Sequence, residues 1–230
     1  MATVQGRRYG GADADERRLR RREAFVVAGL DLFGSEDFDA VSIKRLCDHA
    51  GLTQRYFYES FSDRAGALGA VYEDCVQFAR AATIAAASPF IDTSSGTVGQ
   101  NGVADADVPA AARAILGAFI DCLASDPRRS RVMLVEVVGV SAELERQRLQ
   151  AIHGWADLIL TFARGTRPSS RVQRLAAVGL VGAVTQLLVD WYTATTAPID
   201  ASSGPDDFDL EAIREVCVEL FVATHARLEW

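Results

Sequence analysis

Two helix starts, at Ser42 and Thr53, with Gly51 between them, restrict this 230-residue chain more than any other feature. They lie in VSIKRLCDHAGLTQRYFYESFSDR, residues 41–64. Each is a hydroxyl residue set just before a helical pattern, where its oxygen can accept a hydrogen bond from an otherwise unpaired backbone N–H. Between them Ile43, Leu46 and Cys47 share one helical face, joined by Ala50 at the helix end. Gly51 then reads as a C-cap able to take positive φ without steric cost. Beyond Thr53, Phe57 and Phe61 lie four apart and face inward, while Gln54, Arg55, Tyr56 and Tyr58 look out. The pattern predicts two short helices on one tight turn, the second crowded with polar, cationic and aromatic groups.

Such a helix–turn–helix suits entry into the DNA major groove, with side chains near the start of the second helix closest to base edges. The segment resembles the DNA-binding region of TetR-type transcriptional regulators. The resemblance rests on Ser42, Ile43, Leu46, Cys47, Ala50, Gly51, Leu52, Thr53, Phe57, Tyr58, Phe61 and Arg64. Upstream, Phe25, Val26, Ala28, Gly29, Leu32 and Phe33 match the family's first helix, so the similarity covers about residues 20–72. Three positions depart from the family pattern. Cys47 stands for a customary Ala, Arg64 for Lys, and Asp37 for the Gly of the turn after the first helix. Asp tolerates a left-handed backbone better than most residues, and Arg keeps the positive charge.

On this reading Thr53, Gln54, Arg55 and Tyr56 approach the bases. Arg55 can pair bidentately with guanine and Gln54 with adenine, each correct pair giving ~1–3 kcal/mol of discrimination. Tyr58 resembles the family tyrosine that hydrogen-bonds a phosphate, and Ser42 and Lys44 can do likewise from the preceding helix. Arg64, near a helix start, adds charge where backbone amides favour an anion. The cluster Arg17, Arg18, Arg20, Arg21 and Arg22 either reaches flanking phosphates or the minor groove, or forms i,i+4 pairs with neighbouring acids on a solvated face.

A net charge of −7 fits such a role because of its distribution. Up to Arg64, eleven Lys and Arg balance eleven Asp and Glu, so the whole excess of acid lies beyond that residue. Local field rather than total charge governs docking on phosphate. The four cysteines are scattered without CxxC pairs or His partners at ligand spacing, which points to buried thiols rather than disulfides or zinc. No apolar leader precedes the first helix, and the apolar run from Leu175 to Trp191 is interrupted by Thr185, Gln186 and Asp190. The expectation is a soluble, cytoplasmic protein with no membrane partner. His49, His153 and His225 are isolated, and no nucleophile, phosphate-loop or metal motif accompanies them. No catalytic residue, cofactor or metal is expected, and the chain does not read as an enzyme.

Helical periodicity continues to the C-terminus without strand alternation. Helices are expected over about 15–33, 63–86 (capped by Ser62), 108–124, 126–138, 141–164, 170–194 and 210–228, besides the short pair. A mobile loop is expected at 88–107 and a Pro/Gly/Ser/Asp-rich loop at 197–207. The fold class is therefore all-α. The resemblance implies a three-helix DNA-binding domain, residues 1–64 with the motif at about 42–61, and an effector-binding and dimerisation domain over residues 65–230. It further implies a pocket for an unknown small molecule, whose candidate lining is Phe119, Met133, Glu136, Trp155, Ile159, Gln186 and Trp191. Glu136 and Gln186 stand out because polar groups amid apolar helix faces need partners. A homodimer through the last two helices is implied, aided by Ala176, Ala177, Gly179, Gly182 and Ala183 and by Val216, Leu220, Phe221 and Val222. The expected function is a repressor released from a palindromic double-stranded DNA operator by a small apolar effector. The alternative is an architectural or partner-recruiting DNA-binding protein without an effector.

Overall fold

A computed structural model describes residues 9–91, 102–196 and 209–230, with side chains of the first helix from residue 14 onward. The N-terminal arm to residue 8, residues 92–101 of the first expected loop and the whole of the second, 197–207, lie outside these residues. Nine α-helices occupy the described chain: α1 Tyr9–Phe33, α2 Ile43–Ala50, α3 Gln54–Ser60, α4 Arg64–Ala87, α5 Val108–Ala124, α6 Pro127–Arg131, α7 Ala142–Arg164, α8 Arg171–Thr196 and α9 Leu210–Leu228.

Local chemistry sets most boundaries. The Ser42 side chain accepts from Arg45 N at the start of α2, and Gly51 ends that helix at φ 64°, ψ 28°. Asp126 accepts from Arg128 N and Pro127 opens α6. Ser141 and Asp209 cap α7 and α9 in the same way. Three expectations need correction. The first helix starts at Tyr9 rather than near Asp15. The cap of α4 is Asp63, which accepts from Gly66 N, because its carboxylate outcompetes the Ser62 hydroxyl at that end. Asp37 is extended, φ −63° and ψ 144°, so no left-handed residue is needed in that turn.

The largest apolar core joins α1, α2, α3 and the first half of α4 around Phe25, Phe33, Leu46, Phe57 and Leu68. Phe25 meets Phe57 edge-on at 5.5 Å and Phe61 at 6.1 Å. The same core takes in Val132, Val137 and Leu144, so it runs without a break from the helix–turn–helix into α7. Behind it, α4 packs on α5, α5 on α9 and α7 on α8. α8 is long and apolar enough to cross a bilayer by length and composition, with 28% of its apolar window buried. Its Ala177 and Leu188 are fully buried within the subunit, whereas Val172, Leu175, Gly179 and Gly182 lie exposed along one side.

The sequence predicts one helix over 126–138, but α6 ends after five residues and passes into a π-helical stretch, Val132–Glu136. Such wide turns occur mostly as single insertions, frequently beside functional sites.

Candidate DNA-reading surface and effector cavity

Burial of Phe57 on one side of α3 dictates which residues are left outside. Thr53, Gln54 and Arg55 are exposed, and Tyr58 is 58% exposed. The Thr53 side chain makes no capping bond, so its hydroxyl is not committed to the helix. Arg55 Nε donates to Glu59 Oε1 at 3.1 Å across one turn, a solvated pair that a stronger acceptor can displace. On α2, Ser42 is exposed but its oxygen is engaged as the cap. Lys44, the chain's sole lysine, bonds Asp48 at 2.7 Å on the open surface.

Two expected contact residues have other work. Tyr56 is half-buried, with the Arg21 guanidinium 4.2 Å above its ring. Arg64 stacks on Phe38 at 4.5 Å and donates to the carbonyls of Phe38 (3.0 Å) and Val41 (2.9 Å). Its fork therefore holds the turn before α2, where a solvent-facing phosphate contact was expected. The basic cluster is also partly structural. Arg18 donates to the Glu59 carbonyl, Arg21 pairs with Glu59 at 3.6 Å, and Arg22 stacks on Phe61 at 4.7 Å. These contacts clamp α1 to α3 and fix the angle at which α3 is presented.

A cavity of about 530 Å³ lies among α4, α5, α7, α8 and the π-helical stretch. Ile115, Leu116 and Phe119 line it from α5, and Ile152, Trp155 and Ile159 from α7. Phe119 and Trp155 meet edge-on at 4.9 Å. Met133, Leu134 and Val135 bring the π-helical backbone to its wall, and Gln186 contributes from α8. Polar groups are few. Burial pushes the Tyr72 phenol up to about 12, so it stays a neutral hydroxyl. Among the described residues Arg148 is the one charged lining residue, and it pairs with Glu145 at 2.9 Å. An apolar chamber of this size with sparse polar anchors suits a small organic ligand.

Phe119, Met133, Trp155, Ile159 and Gln186 thus reach the cavity, while Glu136 and Trp191 do not. Trp191 packs beside Tyr192 at 6.4 Å between α8 and its neighbours. Glu136 is turned away because the π-helical stretch directs it toward the turn between α1 and α2. There its Oε1 accepts from Arg131 Nε at 2.8 Å and its Oε2 from the Phe38 backbone N–H at 2.9 Å. Arg131 also reaches Asp37 at 2.5 Å. Arg131 did not stand out in the sequence and Asp37 did so only as a departure at the turn after the first helix; nothing marks two charges 94 positions apart as partners. More ties run alongside: Arg128 pairs with Asp31 at 2.5 Å and Arg129 with Asp74 at 3.3 Å. Gly34 lets α6 press onto the end of α1, since a Cβ there would collide with Arg128. Among the described residues, no three His, Cys, Asp or Glu side chains gather into a metal-holding group.

The family model for bacterial regulatory proteins of the tetR family matches residues 25–71, the segment that builds the α3-presenting core. That DNA-binding segment is of the tetR family. Solved TetR-type structures share its fold over most of both chains. The fatty acid degradation regulator FadR from Bacillus halodurans superposes with a TM-score of 0.63 at 14% identity, covering 88% of this chain and 94% of that one. FadR from Bacillus subtilis, in complex with stearoyl-CoA, gives 0.62 at 14% identity, covering 87% and 97%. A tetR family transcription regulator from Shewanella sp. PV-4 gives 0.58 at 17% identity, covering 89% and 97%. No curated protein matches this sequence.

Proposed function

We propose that this TetR-family transcriptional regulator is a homodimeric repressor, released from a palindromic operator when an apolar small molecule fills the 530 Å³ cavity. One observation carries the reading. The cavity wall at Met133–Val135 belongs to the π-helical stretch whose next residue, Glu136, bonds the backbone of Phe38 in front of α2. A ligand that moves this wall moves the mounting of the DNA-reading helices. An effector shifts the equilibrium only as far as its affinities for the two arrangements differ.

In this reading residues 1–64 form the DNA-binding unit and residues 65–230 the effector and dimerisation unit. Thr53, Gln54, Arg55 and Tyr58 make the principal DNA contacts, with Ser42 and Lys44 beside phosphate; Tyr56 and Arg64 act chiefly by holding the surface in shape. The effector contacts Phe119, Met133, Trp155, Ile159 and Gln186. Its chemistry follows the walls: a largely hydrocarbon body, with a polar or anionic end toward Arg148. Stearoyl-CoA, which FadR of Bacillus subtilis holds, makes long-chain acyl compounds the first class to try. Dimerisation uses the open side of α8, where nothing lies within 4 Å of a Cβ built at Gly179 or Gly182, together with Val216 and Leu220 of α9. Two subunits would then present α3 about one DNA turn apart, roughly 34–36 Å, or a multiple of it. Gene regulation of this kind takes place in the cytoplasm and needs no catalysis.

The test is selection of bound sequences from random DNA by the purified protein, then titration of the winner with long-chain acyl compounds. Palindromic sequences whose binding weakens as the acyl compound is added are expected. Selection of non-palindromic or unrelated sequences would overturn the operator reading, and an affinity indifferent to every apolar compound that binds would overturn the effector reading.

A further inference from the structure

Ile115, Leu116, Ile159 and Phe162 have two sides. One faces the main cavity, and the other faces a second compartment of about 50 Å³ between α5, α7 and α9. The compartment's remaining walls are apolar, Val108 and Ala111 among them, except at one point. There stands His225 of α9, only 6% exposed. Its Nε2 is fully buried and has no hydrogen-bond partner among the described residues. Burial moves the imidazole below its ordinary pKa, so the ring is neutral and has one protonated and one bare nitrogen. A buried polar atom left unsatisfied calls for an explanation. A water molecule fits the space but would have His225 as its single side-chain partner, where buried waters typically make about three hydrogen bonds.

We propose that this compartment is the inner end of the effector site and receives a hydroxyl group carried at the tip of an aliphatic chain. The proposal rests on the main cavity being the effector site. A hydroxyl both donates and accepts, so it satisfies Nε2 in either tautomer. A carboxylate would be buried with no charged lining residue beside it, at a prohibitive desolvation cost. To pass from one chamber to the other the chain displaces the shared partition, chiefly by a rotamer change at Phe162. The carboxyl or carrier end of the molecule remains in the main cavity, where Arg148 lies.

Calorimetric titration of the full-length dimer with saturated fatty acids of increasing length, each paired with its ω-hydroxy derivative, tests the assignment. At the length that reaches His225, the ω-hydroxy member should bind about 5- to 10-fold tighter than its parent, the worth of one recovered hydrogen bond. In His225→Leu that preference should vanish while parent affinities stay within about twofold. Ala111→Val, which narrows the compartment from α5 without touching the imidazole, should also remove it and guards against a folding defect in the first variant. Equal binding of both members at every length, or a preference that survives both substitutions, overturns the terminal subsite alone. If no chain of either kind binds, the effector reading of the main cavity falls, and the subsite with it.

Discussion

Glu136, a carboxylate amid Val132, Met133, Leu134 and Val135, needs partners and has two: Arg131 engages one oxygen and the Phe38 N–H the other. The second partner was hidden in the sequence, because it depends on the wide turn that points the side chain at the segment after α1. Glu136→Ala leaves Arg131 half-paired and Phe38 N–H without its acceptor, so it should cost about 2–3 kcal/mol of stability in urea unfolding. The same variant should still bind an effector but lose much of the effector's influence on operator affinity; full retention of that influence would show that Glu136 is not the link. At Arg55 the sequence foretold the exposure: the guanidinium lies on the outer face of α3, paired with Glu59. Arg55→Ala should lower specific operator affinity by ~1–3 kcal/mol and leave affinity for random DNA much less changed. Cys75 and Cys217 were read as buried thiols, and burial pushes both up to about 11. Thiolate is the reactive form, so neither should react with a disulfide reagent at neutral pH until the protein unfolds; rapid modification in the native state would contradict the burial.

Among elements, helices with strong punctuation were legible. α2 follows from Ser42 and Gly51, and α5, α7 and α9 from helical periodicity; in the structure Ser141 and Asp209 cap the last two. α6 was not, because a π-helical turn differs from an α-turn by one hydrogen-bond register, and the apolar run from Val132 to Val138 satisfies either. What selects the wider turn is tertiary: it lets Glu136 reach Phe38 while Met133 and Val135 stay on the cavity wall. The arginines of α1 illustrate the same limit. Their spacing permits a solvated face or a DNA contact equally, and only the proximity of α3 shows that Arg18, Arg21 and Arg22 grip Glu59, Tyr56 and Phe61. Capping is the element-scale prediction. Ser42→Ala removes the acceptor for Arg45 N and should destabilise α2 by about 1 kcal/mol, seen as faster amide exchange at Lys44 and Arg45 without loss of the dimer.

For the whole molecule, the small residues of α8 divide into two groups that the sequence could not separate. Ala177 packs inside the subunit, while Gly179 and Gly182 face open space beside exposed Val172 and Leu175. Gly182→Leu should therefore leave the monomer's fold intact, shift sedimentation toward the monomer, and lower operator affinity through loss of the paired half-site. A dimer as stable as the parent would move the interface elsewhere. The division of charge at Arg64 was readable from sequence, and it concentrates the acid on the part of the molecule that faces away from DNA in the proposed complex.

Lys44 carries the chain's only side-chain amine, and it sits on the exposed side of α2, next to the surface assigned to phosphate. Amine-directed labelling at mildly alkaline pH will consequently mark one place on the folded surface besides the N-terminus. A dye coupled there becomes a built-in sentinel for occupancy of the DNA-reading end, its attachment blocked when operator is bound and restored when operator departs. The scarcity of lysine thus turns an ordinary bioconjugation reaction into a footprint with single-residue resolution.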